Sequence, residues 1–228
     1  MESDAKQLVA AIRMLEKAEI VDFNGHASVR TGPARFLINS GRSVRSDLTA
    51  EDIVEIDLAG RLSAGSSDAP PMEYPLHAEI YRRRPDVNAI VHAHPRWSTF
   101  LSIAGHRLLP VFAQGTLLGE VPVFPEVFSI NTRAKGEELA AVVGQGRAAL
   151  LQSHGSVVVG ADMVECFALT VYLEENAYRQ YMATQIGEPR VFTAEEIASS
   201  RENLWKPNLF RKTWDYYAAK AGVRAASE

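Results

Sequence analysis

The clearest chemical potential in this chain lies in three histidines and one glutamate. In Ala89-Ile-Val-His92-Ala-His94-Pro95 an apolar run leads into two histidines one residue apart. Strand side chains alternate between faces, so an extended reading sends both imidazoles to one side, and Pro95 ends the ladder beyond them. Two histidines buried side by side need partners for every ring nitrogen, and a shared cation is the economical partner. His154 offers a third donor at the end of Ala148-Ala-Leu-Leu-Gln-Ser and directly before Gly155, where backbone approaches closely. Three neutral donors leave coordination positions open, as in a catalytic rather than a closed structural site. A lone strand histidine would read as a packed core residue; the pair together with His154 favours the ion.

Glu73 stands in Pro70-Pro-Met-Glu73-Tyr-Pro-Leu-His77, where prolines fix the backbone just ahead of a helix. A carboxylate there could exchange a proton near the ion, a role best served if burial raises its pKa toward neutrality. Spacing alone favours a plainer reading, a helix-start Glu that complements the dipole. His26 is a weaker candidate than the trio. His77 reads as a packed helix residue, and His106 as exposed in the loop Ala104-Gly-His-Arg.

The elements that must position these groups follow from periodicity. Ser3 reads as the cap of a first helix with Leu8, Ile12 and Leu15 on one face. Strands are predicted at 27–30, 35–39 and 53–58, with Thr49-Ala-Glu-Asp52 as a capping box before one helical turn. Residues 64–71 form a Ser-, Gly- and Pro-rich loop. Helix 76–84, strand 88–94 and helix 96–104, stopped by Gly105, come next. A helix from the Thr132 cap through Val143, paired strands at 148–152 and 157–159, and a long amphipathic helix over 162–185 follow. Helices near 193–205 and 208–219 close the chain. The alternation predicts an α/β layered domain spanning 1–228, with strand order left undetermined.

Composition narrows the function. The 228 residues are 46% hydrophobic and 23% charged, ordinary for a globular domain. No apolar run approaches the roughly 20 residues of a spanning helix, so no membrane association is expected. The first residues lack a basic segment leading into an apolar core, and the single Cys166 forms no internal disulfide; a cytoplasmic protein is expected. Cys166 lies in an apolar helix and reads as a buried small side chain. The net charge of −4 with dispersed Lys and Arg argues against a nucleic-acid groove. Arg82-Arg83-Arg84 reads as a solvated helix end.

Over nearly its whole length the chain resembles the class II aldolase and adducin family. The matching segments are Gly25-His-Ala-Ser28-Val-Arg30, Phe36-Leu-Ile-Asn-Ser40-Gly41, Leu48-Thr-Ala-Glu-Asp-Ile-Val, Glu73-Tyr-Pro-Leu-His77, Arg84 through Pro95 and Ser153-His154-Gly155. The resemblance implies a single-domain α/β fold around a mainly antiparallel central sheet flanked by helices. It further implies a cyclic homotetramer with active sites at subunit interfaces. It assigns His92, His94 and His154 to a divalent ion and Glu73 to general acid/base work. Zinc is the first choice of ion; Mn, Fe and Co also suit three imidazoles with open positions.

Departures from the family pattern bear on the substrate. Sugar-phosphate aldolases of this family carry Gly-Asn where this chain has Gly25-His26, and two serines where it has Pro71-Met72. Pro71 offers neither hydroxyl nor N–H to a phosphate. Ser40 and Gly41 remain, and Arg42 and Arg45 follow in a loop that could receive a carboxylate, although a loop Arg is often exposed. The Gly-His variant resembles the branch containing decarboxylases of hydroxylated aromatic and oxo acids. The expected partner is therefore a small hydroxy-carboxylate, of dihydroxybenzoate or dihydroxyphthalate type, with His26, Ser40, Gly41, Arg42 and Arg45 as substrate-binding candidates.

Retro-aldol cleavage of a hydroxy-oxo acid or sugar acid uses the same electron sink, and the sequence does not separate it from decarboxylation. A non-catalytic adducin-like scaffold and an Fe(II) oxygenase are competing readings; an empty metal site would favour the first and oxygen-dependent turnover the second. A cupin would place a Glu soon after the His-x-His pair, and an amidohydrolase barrel needs a longer chain. In Trp214-Asp-Tyr216-Tyr217 the aromatic residues read as core or interface, and Tyr216 matches the family's C-terminal tyrosine only loosely.

Overall fold

The computed structural model describes residues 2–64 and 68–223. Its elements in chain order are α1 (Glu2–Lys17), β1 (His26–Gly32), β2 (Arg35–Asn39), β3 (Ile53–Asp57), α2 (Tyr74–Arg83), β4 (Ala89–Ala93) and α3 (Arg96–Ile103). There follow β5 (Val123–Phe124), α4 (Arg133–Val143), β6 (Ala148–Leu151), β7 (Gly155–Gly160), α5 (Met163–Ile186), α6 (Ala194–Leu204) and α7 (Pro207–Ala221). The strands form one sheet in the order β3-β2-β1-β4-β7-β6-β5. Every neighbouring pair is antiparallel except β5 with β6. The mainly antiparallel sheet flanked by helices is therefore the observed architecture.

Period-two alternation sorts the strands into two cores. Ala89, Val91, Ala148, Leu150 and Val158 face the cluster built with α1, α5 and α7. Ile90, Ala149, Leu151, Val157 and Val159 face the opposite cluster, under α2 and α4. Both faces are covered, which explains why β4, β6 and β7 read as continuous apolar runs with every residue buried. Register then places polar residues on the α2 side: His26 pairs with His92, and Ser28 with Ile90.

Several local readings need correction. Glu2 already begins α1, so Ser3 sits inside the helix and cannot cap it. Helix α2 starts at Tyr74, two residues earlier than periodicity suggests, because Pro75 occupies a first-turn position where its missing N–H costs nothing. The two-residue β5 was missed; it is too short to show alternation. Arg84 is not solvated. It is buried, pairs with Asp86, and donates from Nη1 to the carbonyls of Gly144 at 2.7 Å and Gly146 at 3.1 Å. Of the predicted 64–71 loop, residues 65–67 lie outside the described residues.

Other expectations hold. The Thr49–Asp52 capping box is present, Cys166 is fully buried, His77 is packed, and His106 is exposed. Among the described residues no helix is long and apolar enough to cross a membrane.

Candidate metal centre and active site

Strand β4 delivers His92, and the extended step through Ala93 returns His94 to the same side. His154 arrives from the turn between β6 and β7. That turn needs two unusual backbone positions. Ser153 takes a left-handed φ of 55°, and Gly155 packs where a Cβ would strike the Ala93 carbonyl oxygen. The three rings meet at their Nε2 atoms, with His92 to His94 at 3.2 Å and His154 to His94 at 3.1 Å. Glu73, the residue capping α2, completes a group of four whose ligand atoms all lie within 4.8 Å of one another. Its Oε2 lies 3.5 Å from His92 Nε2, and its Oε1 3.9 Å from His154 Nε2.

The outer nitrogens decide which ring atoms carry protons. His92 Nδ1 lies 3.0 Å from the Ser156 carbonyl oxygen, which only accepts, so Nδ1 is the protonated nitrogen. His94 Nδ1 faces both Asp22 oxygens, at 3.0 and 3.1 Å, and donates there too. Their Nε2 atoms are left as lone pairs pointing at each other. Such an arrangement repels itself unless a cation sits between. Tetrahedral zinc with Zn–N of about 2.0–2.1 Å needs nitrogens about 3.3–3.4 Å apart, close to the spacing found. The donor set therefore fits a divalent ion, which His92, His94 and His154 would hold, with acceptors for the outer Nδ1–H of His92 and His94 that fix ring orientation.

Burial keeps the His92 and His154 rings neutral. It pulls His92 and His154 down to about 4, where the Glu73 carboxylate does not fully offset it. For Asp22, burial raises the pKa but is outweighed by hydrogen bonds from His94 and from the Asn24 and Gly25 amides, which hold it below the usual carboxylate range. Glu73 departs from expectation. Burial does push it upward, yet the neighbouring His26 and His92 rings more than reverse this, so it is held below the usual carboxylate range. The Ile130 N–H, 2.7 Å from Oε1, also favours the anion. Glu73 thus rests as a carboxylate rather than as a group poised near neutrality.

A cavity of about 620 Å³ opens over this group. His26, Gly41, Arg45, Glu73, His94 and His154 contribute to its wall, together with Pro71, Met72, Val127 and Phe128. Arg45 is buried: its Nε donates to the Gly25 carbonyl and its Nη1 to Ser43, while Nη2 has no hydrogen bond to the described residues. Ser40 is buried with Oγ unpartnered. Arg42 is drawn away, exposed and paired with Asp68 at 2.6 Å. Tyr216 is exposed on α7 and does not line this cavity. Sequence reading missed Asp22, Ser156 and Ile130. Asp22 carried a usable signal, an acidic residue four positions before His26 at a strand entrance; the other two act through backbone and leave no mark in residue type.

The family model described as Class II Aldolase and Adducin N-terminal domain matches residues 6–181, well over half of the chain. This protein belongs to that family. It is 31% identical over 175 residues to an L-fuculose phosphate aldolase of Methanocaldococcus jannaschii, covering 76% of this chain and 93% of the relative. It is 30% identical over 209 residues to a 3,4-dihydroxyphthalate decarboxylase of Terrabacter sp., covering 85% and 87%. Among solved structures, the L-fuculose 1-phosphate aldolase of Glaciozyma antarctica superposes with a TM-score of 0.84 at 21% identity, covering 96% of this chain and 88% of the other; it supports the fold.

Two outcomes follow from this geometry. Asp22→Asn weakens the acceptor behind His94 and lowers divalent-ion affinity about 10- to 100-fold, read by chelator competition, with unchanged circular dichroism. The second concerns pH. His92 and His154 bind protons less readily folded, at about 4, than unfolded, near the ordinary histidine value of 6.5. Between those values the unfolded chain holds more protons, so their contribution to stability is complete above about 6.5 and lost as pH falls toward 4. Urea unfolding of metal-stripped protein should show this decline; a midpoint constant from pH 7 to 4.5 contradicts it.

Proposed function

We propose that this protein is a divalent-metal-dependent carbon–carbon lyase that decarboxylates a small, non-phosphorylated, hydroxylated aromatic acid. The observation that carries the substrate class is the cavity wall beside Glu73. There Pro71, Met72, Val127 and Phe128 present apolar surface where a phosphate dianion would need donors. An aromatic ring suits that wall, and the free Nη2 edge of Arg45 suits one substrate carboxylate. Gly41 lines the cavity, whereas Ser40 does not and is buried with its hydroxyl unpartnered.

When bound, the divalent ion polarises vicinal substrate oxygens and spreads the charge left by C–C cleavage. Glu73 handles the proton. As a resting carboxylate it takes the proton of a substrate hydroxyl on binding. It returns that proton to the ring carbon as carbon dioxide departs, and solvent restores the hydroxyl. His92 and His94 are kept as lone-pair donors by Ser156 and Asp22 throughout. The same residues serve retro-aldol cleavage with an aldehyde leaving, a second reading favoured by the M. jannaschii relative, whose name is that of an aldolase.

Zinc is the ion we assign first, with Mn, Fe and Co as alternatives. The working form in this reading is a cytoplasmic homotetramer, supported by Met72, Val127 and Phe128, apolar side chains left exposed at the cavity. Sedimentation equilibrium should return four chains per particle; a monomer at micromolar concentration contradicts the tetramer.

Dihydroxybenzoates and dihydroxyphthalates supplied to zinc-, manganese-, iron- or cobalt-loaded protein should release carbon dioxide. Glu73→Gln should lower kcat by about 100-fold or more while the ion remains bound. Aldehyde release from hydroxy-oxo acids, with no carbon dioxide from any aromatic acid, would replace the first reading by the second.

A further inference from the structure

Behind Glu73 a file of buried polar groups runs into the α2 face of the sheet. His26 Nδ1 lies 2.7 Å from His77 Nε2, His77 Nδ1 lies 2.7 Å from Ser28 Oγ, and Ser28 Oγ lies 2.8 Å from Tyr81 Oη. All four residues are at most 2% exposed. At the near end His26 Nε2 is buried without a hydrogen-bond partner and faces Glu73 Oε2 across 3.8 Å. Nothing in the proposed chemistry uses His77, Ser28 or Tyr81.

Each link holds one proton, so the file has only two consistent orders. In one, protons point inward. Ser28 donates to Tyr81, both His77 and His26 carry their proton on Nδ1, and the His26 Nε2 lone pair confronts the Glu73 carboxylate. Tyr81 must then donate to the Asn88 carbonyl at 3.5 Å, a poor bond. In the other, Tyr81 donates to Ser28, Ser28 to His77 Nδ1 and His77 Nε2–H to His26 Nδ1. The proton of His26 then sits on Nε2, aimed at the carboxylate. A mixed arrangement in which Ser28 accepts from both neighbours strands its own proton, because Ser28 is fully buried with no other acceptor. The outward order wins on both counts: Tyr81 keeps a 2.8 Å bond, and a donor rather than a lone pair meets the anion.

We propose that Tyr81, Ser28 and His77 are positioning residues that lock His26 as its Nε2–H tautomer, presenting a neutral N–H donor to Glu73 and to the substrate oxygen beside it. The register that pairs His26 with His92 sets this donor next to the ion's ligands. The Ile130 N–H holds Oε1 at 2.7 Å, which leaves Oε2 as the Glu73 oxygen facing His26 Nε2 across 3.8 Å. The catalytic part of this inference rests on the lyase reading above; the tautomer itself does not.

The test is nitrogen-15 NMR of the full-length, zinc-loaded protein labelled at histidine, resolving Nδ1 from Nε2 through two-bond couplings to the ring protons. Both His26 and His77 should carry a proton on Nε2 alone. A proton on Nδ1 of His26 overturns the proposal, whatever the enzyme turns over. Ser28→Ala removes the donor to His77 and should leave His26 as a tautomer mixture, with kcat about 10- to 100-fold lower and KM within about twofold. Tyr81→Phe leaves the Ser28–His77 bond in place and should lose less. If Ser28→Ala folds but keeps both the wild-type tautomer and the wild-type kcat, the file does not position His26. A correct tautomer in a protein that cleaves none of the acids tested removes the lyase reading and leaves the ordering of the file standing.

Discussion

The constraint on which the structure depends is the convergence of imidazole lone pairs at about hydrogen-bond spacing with no proton to share. Ser156 and Asp22 each claim the outer proton of one ring, so His92 and His94 turn unprotonated Nε2 atoms toward each other. In the bare protein this is unfavourable, and burial makes protonation of His92 no easy escape. The fold holds the rings there regardless, by an antiparallel register for His92, a left-handed Ser153 for His154, and a Gly155 that lets the turn lie against Ala93. Strain of this kind persists where the surroundings over-determine it, and a cation relieves it.

Much of this was legible from residue types. Period-two alternation placed His92 and His94 on one side, and Gly155 marked the close approach beside His154. Prolines around Glu73 marked the entrance to α2. The apolar runs at 148–152 and 157–159 announced paired strands, while their cover on both faces emerged only from the packing. What stayed hidden depends on contacts between segments distant in sequence. The Asp22 carboxylate reaches His94 across 72 positions, and the Ile130 N–H reaches Glu73 across 57. The pKa of Glu73 was misjudged for the same reason. Burial, which a sequence suggests, was visible, while the rings and the amide that reverse its effect were not. Arg42 and Arg45 were equivalent on paper. The fold buries one against Gly25 and Ser43 and sends the other out to Asp68.

Two kinds of residue surround the ion site, and they answer to different demands. The histidines and Glu73 hold positions set by strand register and a helix start, where a small displacement would spoil the geometry. Pro71, Met72, Val127 and Phe128 belong to loops, where side chains vary with less cost to the sheet. Relatives named as an L-fuculose phosphate aldolase and as a 3,4-dihydroxyphthalate decarboxylase stand at 31% and 30% identity to the chain.

Helix α2 is moored at both ends. Its first turn is tied down through Glu73 and Ile130. Its last turn is anchored by Arg84, which reaches the carbonyls of Gly144 and Gly146, and by Arg30, which bonds the carbonyls of Tyr81 and Arg84. Each of these guanidiniums bridges chain segments more than fifty positions apart. A rod fastened in this way does not pivot when the lip of the cavity is remodelled. The carboxylate at its tip stays where it is, so mutation can explore new cargo in the lip loops without displacing Glu73 from the three imidazoles beside it.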